Sequence, residues 1–588
     1  MKLSDYIVNF FYNNGIDTVM SITGGFAMHL NNSFGNHGKY NIYYNHHEQA
    51  CGYSAIGYSK ITNKPSIVCI TSGIASLNAG TTCLTAYQDS VPILYISGQV
   101  SSELIKNKNL ELRSYGFADS NIIEIVKPIT KYQCEIYEIE NLQNILNNII
   151  INLTSGRLGP VWLSIPLDIQ GKTINEELLN SYYNNKIIKT INNNIYNFNL
   201  IYEYLLNSKR PLIIGGNGIK LSNCINKFKN FINKYKIPVV VSMLGTDIIE
   251  TDNILYSGRI GIYGNRHGNF TLQNCDLILS LGCRMSQAII GYNNNWFARD
   301  AKIIYLDIDE NELNKNNIKY DLKLKINLND FFDYYDFNII DYSEWINKCN
   351  HWKTKWINEQ PLYKENIINP YNILYELFKI LPENKNIISS TGSIITNLWH
   401  IIKIKTNDNF IISSQGDMGF EIPASIGAYI GNNNLTIVIL GEGSFQLNIQ
   451  ELQTIVHHNF PIKILLFNNN TYGAIQITQN NFFKNNFGID KDSGISFPNT
   501  EKICYAYNIK YLCINNNNNE NYNKIFNDFL NYNKPILCEI FCCVQCRYPK
   551  LSAIQNNDGT FKNKPFEDME PFLDRNEFYN EMITKPLD

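Results

Sequence analysis

The stretch 435–473 constrains this chain more than any other. Residues 435–440 are an uninterrupted apolar run, the pattern of a strand buried on both faces, and they end in Gly441-Glu442-Gly443-Ser444, a sharp turn with backbone N–H groups free to meet an anion. Leu447, Leu452, Ile455 and Val456 then set an apolar stripe at helical spacing, and a second buried strand, 462–467, ends in Asn468, Asn469 and Asn470. Two neighbouring parallel strands of one βαβ unit thus deliver a carboxylate and an amide oxygen to the edge where open α/β sheets bind ligands. A hard divalent cation holding a diphosphate wants that donor set: one carboxylate, neutral oxygens and phosphate oxygens.

The same kind of run recurs along the chain. Residues 66–70, 93–97 and 161–165 read as central strands, then 211–216, 237–242, 277–281 and 302–308, then 386–390 and 410–413, with helical patterns between them. The expected fold is α/β: three consecutive doubly wound parallel-sheet domains at 1–175, 195–340 and 365–550, then a charged, partly helical tail at 551–588 without a sheet pattern. That tail is expected over a neighbouring surface or an active-site mouth. A length of 588 residues suits such a count. Asn-rich sequence from about 172 to 200 reads as a linker, and 341–370, with its tryptophans and lysines, as a helical connector.

Several function classes fall away. The net charge is −3 with no long basic run, so nucleic acid has no electrostatic purchase. No apolar run approaches the ~18 residues of a membrane span. The first residues carry Asp5 inside what would be a signal peptide's apolar region, so an amphipathic helix ending at Gly15 is expected. Fourteen cysteines lie scattered; Cys542, Cys543 and Cys546 sit on or past an apolar run, and they read as reduced thiols packed in the core of a cytoplasmic protein, with metal binding the alternative. Gly215-Gly216-Asn217-Gly218 invites a dinucleotide fingerprint, which fails because Leu221 stands where its third glycine belongs. Glu48 opens a helix rich in small residues (Ala50, Gly52, Ala55, Gly57), a place where the helix dipole favours a carboxylate whether or not it has a task.

Together these motifs resemble thiamine diphosphate enzymes. Thr23-Gly24-Gly25-Phe26, His47-Glu48-Gln49-Ala50, 71–78 (TSGIASLN), 86–92 (AYQDSVP) and Ser97-Gly98-Gln99-Val100 are similar, in order and spacing, to the pyrimidine-binding domain of the acetolactate synthase and pyruvate oxidase branch. Arg157-Leu158-Gly159-Pro160 closes that domain, 209–220, 237–245, 276–286 and 303–309 resemble its middle domain, and the third block resembles its diphosphate-binding domain. The 435–473 stretch matches the family's GDG…NN motif with Glu442 in place of the metal-binding aspartate, one methylene longer.

The resemblance implies thiamine diphosphate with Mg²⁺ held by Glu442, Asn469 and the Thr471 carbonyl. It implies Glu48 as the catalytic group at N1′ of the aminopyrimidine, and a cofactor cradle of Gly25, Gly73, Asn78, Gln99, Gly392, Ser393, Gly416, Met418, Gly443 and Ser444. It leaves FAD open, because Arg284 matches the flavin-bearing subfamily while Ser286 and Gln287 replace its two aspartates. The implied reaction decarboxylates a 2-oxo acid, pyruvate by default, to an enamine and transfers the acyl unit to a carbonyl acceptor; Thr478, where acetohydroxyacid synthases use a tryptophan, argues for a wider pocket. The 565–575 run is similar to acetolactate-synthase-like proteins encoded beside nucleotide-sugar enzymes, which implies a keto-sugar nucleotide acceptor. A decarboxylase or oxidase, and a non-catalytic protein of the same fold, are the alternatives. Small-molecule partners and a homodimer or homotetramer are expected, with each site shared between two chains.

Overall fold

A computed structural model describes residues 1–106, 113–114, 116–175, 198–361, 368–515, 522–544, 548–555 and 561–587. Most of the expected 172–200 linker, part of the 341–370 connector and Cys546 lie outside the described residues. Three six-stranded sheets, parallel throughout, follow one another along the chain. The first comprises β1 (Thr18–Ser21), β2 (Asn41–Tyr44), β3 (Ser66–Ile70), β4 (Ile93–Gln99), β5 (Tyr132–Glu135) and β6 (Val161–Pro166), in the order β2-β1-β3-β4-β6-β5. The second comprises β7 (Pro211–Gly215), β8 (Val239–Val241), β9 (Tyr256–Arg259), β10 (Leu277–Leu281), β11 (Lys302–Asp307) and β12 (Leu322–Lys325), in the order β12-β11-β10-β7-β8-β9. The third comprises β13 (Lys385–Ile388), β14 (Asn409–Ile411), β15 (Leu435–Gly441), β16 (Lys463–Asn468), β17 (Lys510–Ile514) and β18 (Ile536–Phe541), in the order β14-β13-β15-β16-β18-β17. The first and third sheets therefore share one topology.

Every strand read from an apolar run is present. Several of the unforeseen ones, β2, β5, β12 and β17, are sheet edges whose residues are half-buried or alternate with solvent, so they lack a continuous apolar signature. In the central strands successive residues feed different cores. Ile437 and Ile439 pack with Leu465 and Phe467 on one face, while Val438 and Leu440 pack with Ile464 and Leu466 on the other. Both faces are covered, as an all-parallel sheet requires.

Four helices matter for the site: α1 (Glu48–Thr62), α2 (Ser343–Trp356), α3 (Gly392–Ile401) and α4 (Glu421–Asn432). α1 and α4 lie against each other and join the first and third domains. Their approach is possible only at glycine: a Cβ on Gly427 would stand 1.8 Å from the Ser54 carbonyl oxygen, and one on Gly57 2.0 Å from that of Ala424.

The tail corrects one expectation. It does contain strands: Lys550–Leu551 pairs with Met569–Glu570, and Ala553–Gln555 with Phe561–Asn563. It docks on the chain's own middle domain, a neighbouring surface, which was one of the two places expected for it. Glu567 pairs with Arg299 at 2.8 Å and accepts from Gln273 at 2.7 Å, and Phe566 and Phe578 join the tryptophans of α2 in one core.

Candidate active site

The carboxyl edge of the third sheet brings together the residues expected to hold a metal diphosphate. β15 and β16 pair with Gly441 opposite Phe467, so the turn after one strand and the asparagines after the other share an edge. Glu442 is buried, and its Oε1 accepts from the backbone N–H groups of Asn469 (3.2 Å) and Thr471 (3.0 Å). Burial pushes its carboxyl up to about 7. Asn469 Oδ1 accepts from the Thr471 N–H at 3.2 Å. A Cβ on Gly443 would stand 2.2 Å from the Tyr472 ring, so that position is closed to any side chain.

Unpaired polar atoms test the fit. Thr471 Oγ1 is buried with no hydrogen-bond partner, and so are Ser389 Oγ and Ser390 Oγ just past β13, the strand beside β15. Buried hydroxyls ordinarily find partners, and a cation with phosphate oxygens would supply them at this edge. Among the described residues no three His, Cys, Asp or Glu side chains cluster as metal ligands, so a cation here rests on one carboxylate, neutral oxygens and phosphate. The donor set fits Mg²⁺ with a diphosphate.

Ser444 behaves differently from a simple cofactor ligand. Its hydroxyl accepts from the Gly419 N–H at 2.8 Å and donates to Glu421 Oε2 at 2.6 Å, so its side chain is occupied within the protein. Glu421 is fully buried, its Oε1 has no partner, and burial pushes its carboxyl up to about 7. Sequence reasoning missed this residue. The signal was the internal repeat: Glu421 opens the helix after β14, the second strand of its sheet, as Glu48 opens the helix after β2, the second strand of the first sheet.

At the first sheet, Glu48 starts α1, where His47 caps the helix by accepting from the Gln49 N–H at 3.2 Å. Asn78 Nδ2 donates to Glu48 Oε2 at 3.0 Å, which joins two of the expected cofactor residues directly. Gly73 has φ +71°, and a Cβ there would stand 2.9 Å from the Ala118 carbonyl oxygen. Gln99 is buried with its amide donating to the Ser120 carbonyl at 2.7 Å and its oxygen accepting from the Val100 N–H, so this side chain too is engaged internally. Gly25 is exposed with open space around it.

In the third domain Gly392 (φ +79°) and Ser393 begin α3, with open space beside Gly392. Gly416 is exposed at φ +72° and Met418 is half-buried. Between them Asp417 accepts from Tyr53 Oη and from Thr85 Oγ1 of the first domain. Other links run beside these. Asn448 Nδ2 donates both to Gln49 Oε1 (3.0 Å) and to the Gly419 carbonyl (2.9 Å), so the residue next to Glu48 and the loop bearing Met418 meet through one amide.

A separate cleft of about 500 Å³ lies where the three domains meet, at the carboxyl edge of the second sheet beside the β7/β10 switch point. Arg284, Gly218, Met243, Asp307, Arg157 and Trp399 are among its walls, and burial pushes the Asp307 carboxyl up to about 6. The glycines that fail the dinucleotide fingerprint serve close packing here: a Cβ on Gly216 would stand 2.1 Å from the Gly282 carbonyl oxygen.

Two identically wound sheets, one presenting a glutamate at a helix start and the other an acid, amide and hydroxyl set for a metal diphosphate, define a thiamine pyrophosphate enzyme. The chain belongs to that family: residues 1–118 match the N-terminal TPP binding domain of thiamine pyrophosphate enzymes, 199–332 their central domain and 390–540 their C-terminal TPP binding domain. It is a thiamine diphosphate-dependent enzyme of the acetolactate synthase type. A probable acetolactate synthase large subunit from Methanococcus aeolicus is 29% identical over 520 residues, spanning 84% of each chain. The acetolactate synthase large subunit of Lactococcus lactis is 28% identical over 85% of this chain and 86% of its own. Acetolactate synthase 1 of Nicotiana tabacum, a chloroplastic protein, is 28% identical over 86% of this chain and 76% of its own.

Proposed function

We propose that this enzyme is a decarboxylating carboligase that takes pyruvate as its 2-oxo acid donor and transfers the two-carbon acyl unit to a carbonyl acceptor, either a second 2-oxo acid or a keto-sugar nucleotide. The observation that carries the reading is Glu48, fixed by Asn78 at a helix start and linked through Gln49 and Asn448 to the Gly416–Gly419 loop. Bound thiamine diphosphate supplies the carbon nucleophile and the electron sink for the departing carbon dioxide. Glu48 holds a proton at N1′ of the aminopyrimidine and so shifts that ring between its amino and imino forms. Glu442, Asn469 and Thr471 would hold Mg²⁺, Gly443 would let backbone N–H groups face the diphosphate, and Met418 would pack against the cofactor.

The acceptor side is open. Thr478 is exposed and its hydroxyl turns back to the Ala474 carbonyl at 3.1 Å, which leaves room for an acceptor larger than a short oxo acid. Ile74, Leu77 and Tyr87 near Glu48, and Ile475, Phe482 and Phe483 after the metal edge, are exposed apolar side chains that support burial against a second copy of the chain. No disulfide joins the described cysteines, which supports a reducing, cytoplasmic setting. No helix of the described residues is long and apolar enough to cross a membrane. The size of the three-domain cleft supports a nucleotide-bearing cofactor, and release of flavin from heat-denatured protein decides whether that cofactor is FAD.

The deciding assay incubates the protein with thiamine diphosphate, Mg²⁺ and pyruvate, with and without a keto-sugar nucleotide, and identifies products by mass. A product with a new C–C bond is expected; aldehyde or hydrogen peroxide alone would establish the decarboxylase or oxidase reading instead. Glu48→Gln should abolish deuterium exchange at the reactive carbon of bound cofactor, and unchanged exchange would rule out Glu48 as the group acting at N1′.

A further inference from the structure

The seam between the middle and third domains encloses a polar cavity apart from the residues of the candidate cofactor site. Tyr256 and Arg259 at the two ends of β9, His267 on the helix Arg266–Asn274, and Ile402 just past α3 line it. Its volume of about 20 Å³ is room for roughly one particle the size of a water molecule.

Arg259 is 2% exposed, and among the described residues it makes no ion pair. Two of its nitrogens donate to backbone carbonyls, those of His400 and Ile402, and its Nε has no partner. The nearby carboxylate Glu359 is taken by the neighbouring Arg266, which it meets at 2.7 Å. Three more groups sharpen the imbalance. Tyr256 Oη and both ring nitrogens of His267 are buried without partners. Lys353 adds a second cation 5.2 Å from the Tyr256 ring centre, and its one acidic neighbour, Asp252, is exposed. Burial and the positive field of Arg259 and Lys353 keep His267 neutral, so one ring N–H is available as a donor.

A buried guanidinium without a counter-ion is among the costliest arrangements a protein can hold. Arg259 Nε–H, Tyr256 O–H and a His267 N–H, each without a partner, border this space together with Lys403 and the polar side chains of Asn358 and Gln360. We propose that this cavity binds one small monovalent anion of halide size, chloride under ordinary conditions; a tetrahedral oxyanion is too large for it. The ion neutralises Arg259, which in turn caps the carbonyls at the end of α3, the helix whose first residues are Gly392 and Ser393 of the cofactor cradle. Bound halide thereby fixes α3 between the middle domain and the cofactor.

Bromide tests this directly. Crystals of the intact protein grown in sodium bromide should give an anomalous bromine peak within hydrogen-bond distance of Arg259 Nε and Tyr256 Oη; a peak-free cavity holding water overturns the proposal. In solution, exchanging gluconate for bromide at constant ionic strength should raise the melting temperature along a saturable one-site curve. Tyr256→Phe keeps the ring and removes one donor, and should need about tenfold more bromide for the same rise. Arg259→Met should lose the response altogether. A wild-type melt flat in bromide, or a Tyr256→Phe curve superimposable on it, overturns the proposal even if Arg259→Met does not fold.

Discussion

Glu451 Oε2 accepts from the Asn45 side chain at 2.9 Å and so ties the third domain to the segment that delivers Glu48. The same carboxylate takes the His46 N–H through Oε1 at 2.9 Å, and it is wholly buried. Besides Thr454 of its own helix, which donates to Oε2 at 2.7 Å, its partners are two consecutive residues of the other domain, two and three positions before Glu48. The position of Glu48 is thus set partly from across the interface.

Glu451→Ala should therefore lower stability and activity together. Stranding a buried amide and a backbone N–H costs about 2–4 kcal/mol by the usual penalty for unsatisfied donors. Release of the segment should lower kcat by about tenfold or more through misplacement of Glu48. Urea unfolding and steady-state kinetics read the two effects; an unstable variant with an unchanged kcat would show that Asn78 alone positions Glu48.

The two buried acids at the cofactor edge predict an unusual pH dependence. Unfolded glutamate releases its proton near pH 4.5, whereas Glu421 and Glu442 hold theirs to about 7 when folded. Between those values the folded state binds the extra protons, so their contribution to stability is full below pH 4.5 and falls as pH rises to about 7. The loss is up to ~3 kcal/mol for each group, at about 1.4 kcal/mol for every tenfold difference in proton affinity between the folded and unfolded states. Urea midpoints of the cofactor-free protein should thus drop between about pH 5 and about pH 8. Glu421→Gln, which cannot ionise, should flatten part of that slope, and Mg²⁺ with thiamine diphosphate should remove the part due to Glu442 by favouring its carboxylate. A slope unchanged by both would assign the pH dependence elsewhere.

The sequence exposed the strands and the edge proposed to hold the metal because both are local. A buried parallel strand writes itself as an apolar run, and Glu442 and Asn469 lie just beyond two such runs. What stayed hidden depends on distant neighbours. Nothing about Asn448 or Glu451 as single residues indicates that they meet Gln49, Asn45 and His46, some four hundred positions earlier. Gln99 and Ser444 sit at motif positions, yet their polar groups are satisfied by the protein, and only hydrogen-bond geometry reveals that. The tail misled for a related reason: its strands are two or three residues long, too short to show a period.

Glu581 anchors that tail and offers a clean separation of docking from catalysis. Its carboxylate accepts from Trp352 Nε1 at 2.9 Å and contacts Lys348 and Lys355 on α2 at 2.7 and 2.9 Å. These partners hold its carboxyl well below the usual carboxylate range, so its stabilising contribution is present at neutral pH and is lost as pH falls below the ordinary glutamate value. Glu581→Ala should free the tail to limited proteolysis while kcat changes less than about twofold. Tail cleavage no faster than in the wild type would show that Phe566 and Phe578 suffice to hold it.

The contact between α1 and α4 sets the severest test. Gly427 lies where a methyl group would meet the Ser54 carbonyl oxygen at 1.8 Å, a separation no side chain tolerates, and the intruded atom is backbone, so no rotamer change relieves it. Both helices are buried here: Ser54, Ala55, Ile426 and Ala428 are all fully enclosed. Gly427→Ala must push the helices apart, losing packing over several turns and the Ser54 Oγ bond to the Pro423 carbonyl at 2.9 Å. Overpacking of this kind costs about 1–3 kcal/mol, and more where backbone must shift. Gly488, at φ +64° with open space around it, is the control for a glycine whose demand is conformational and not steric. Gly488→Ala should cost only about 1–2 kcal/mol and leave cofactor affinity unchanged. Gly427→Ala should cost more and should weaken thiamine diphosphate binding about tenfold or more, because α4 begins at Glu421 and α1 at Glu48. Equal effects of the two substitutions on cofactor affinity, read by calorimetry, would show that the helix contact does not govern the spacing of the two halves of the site.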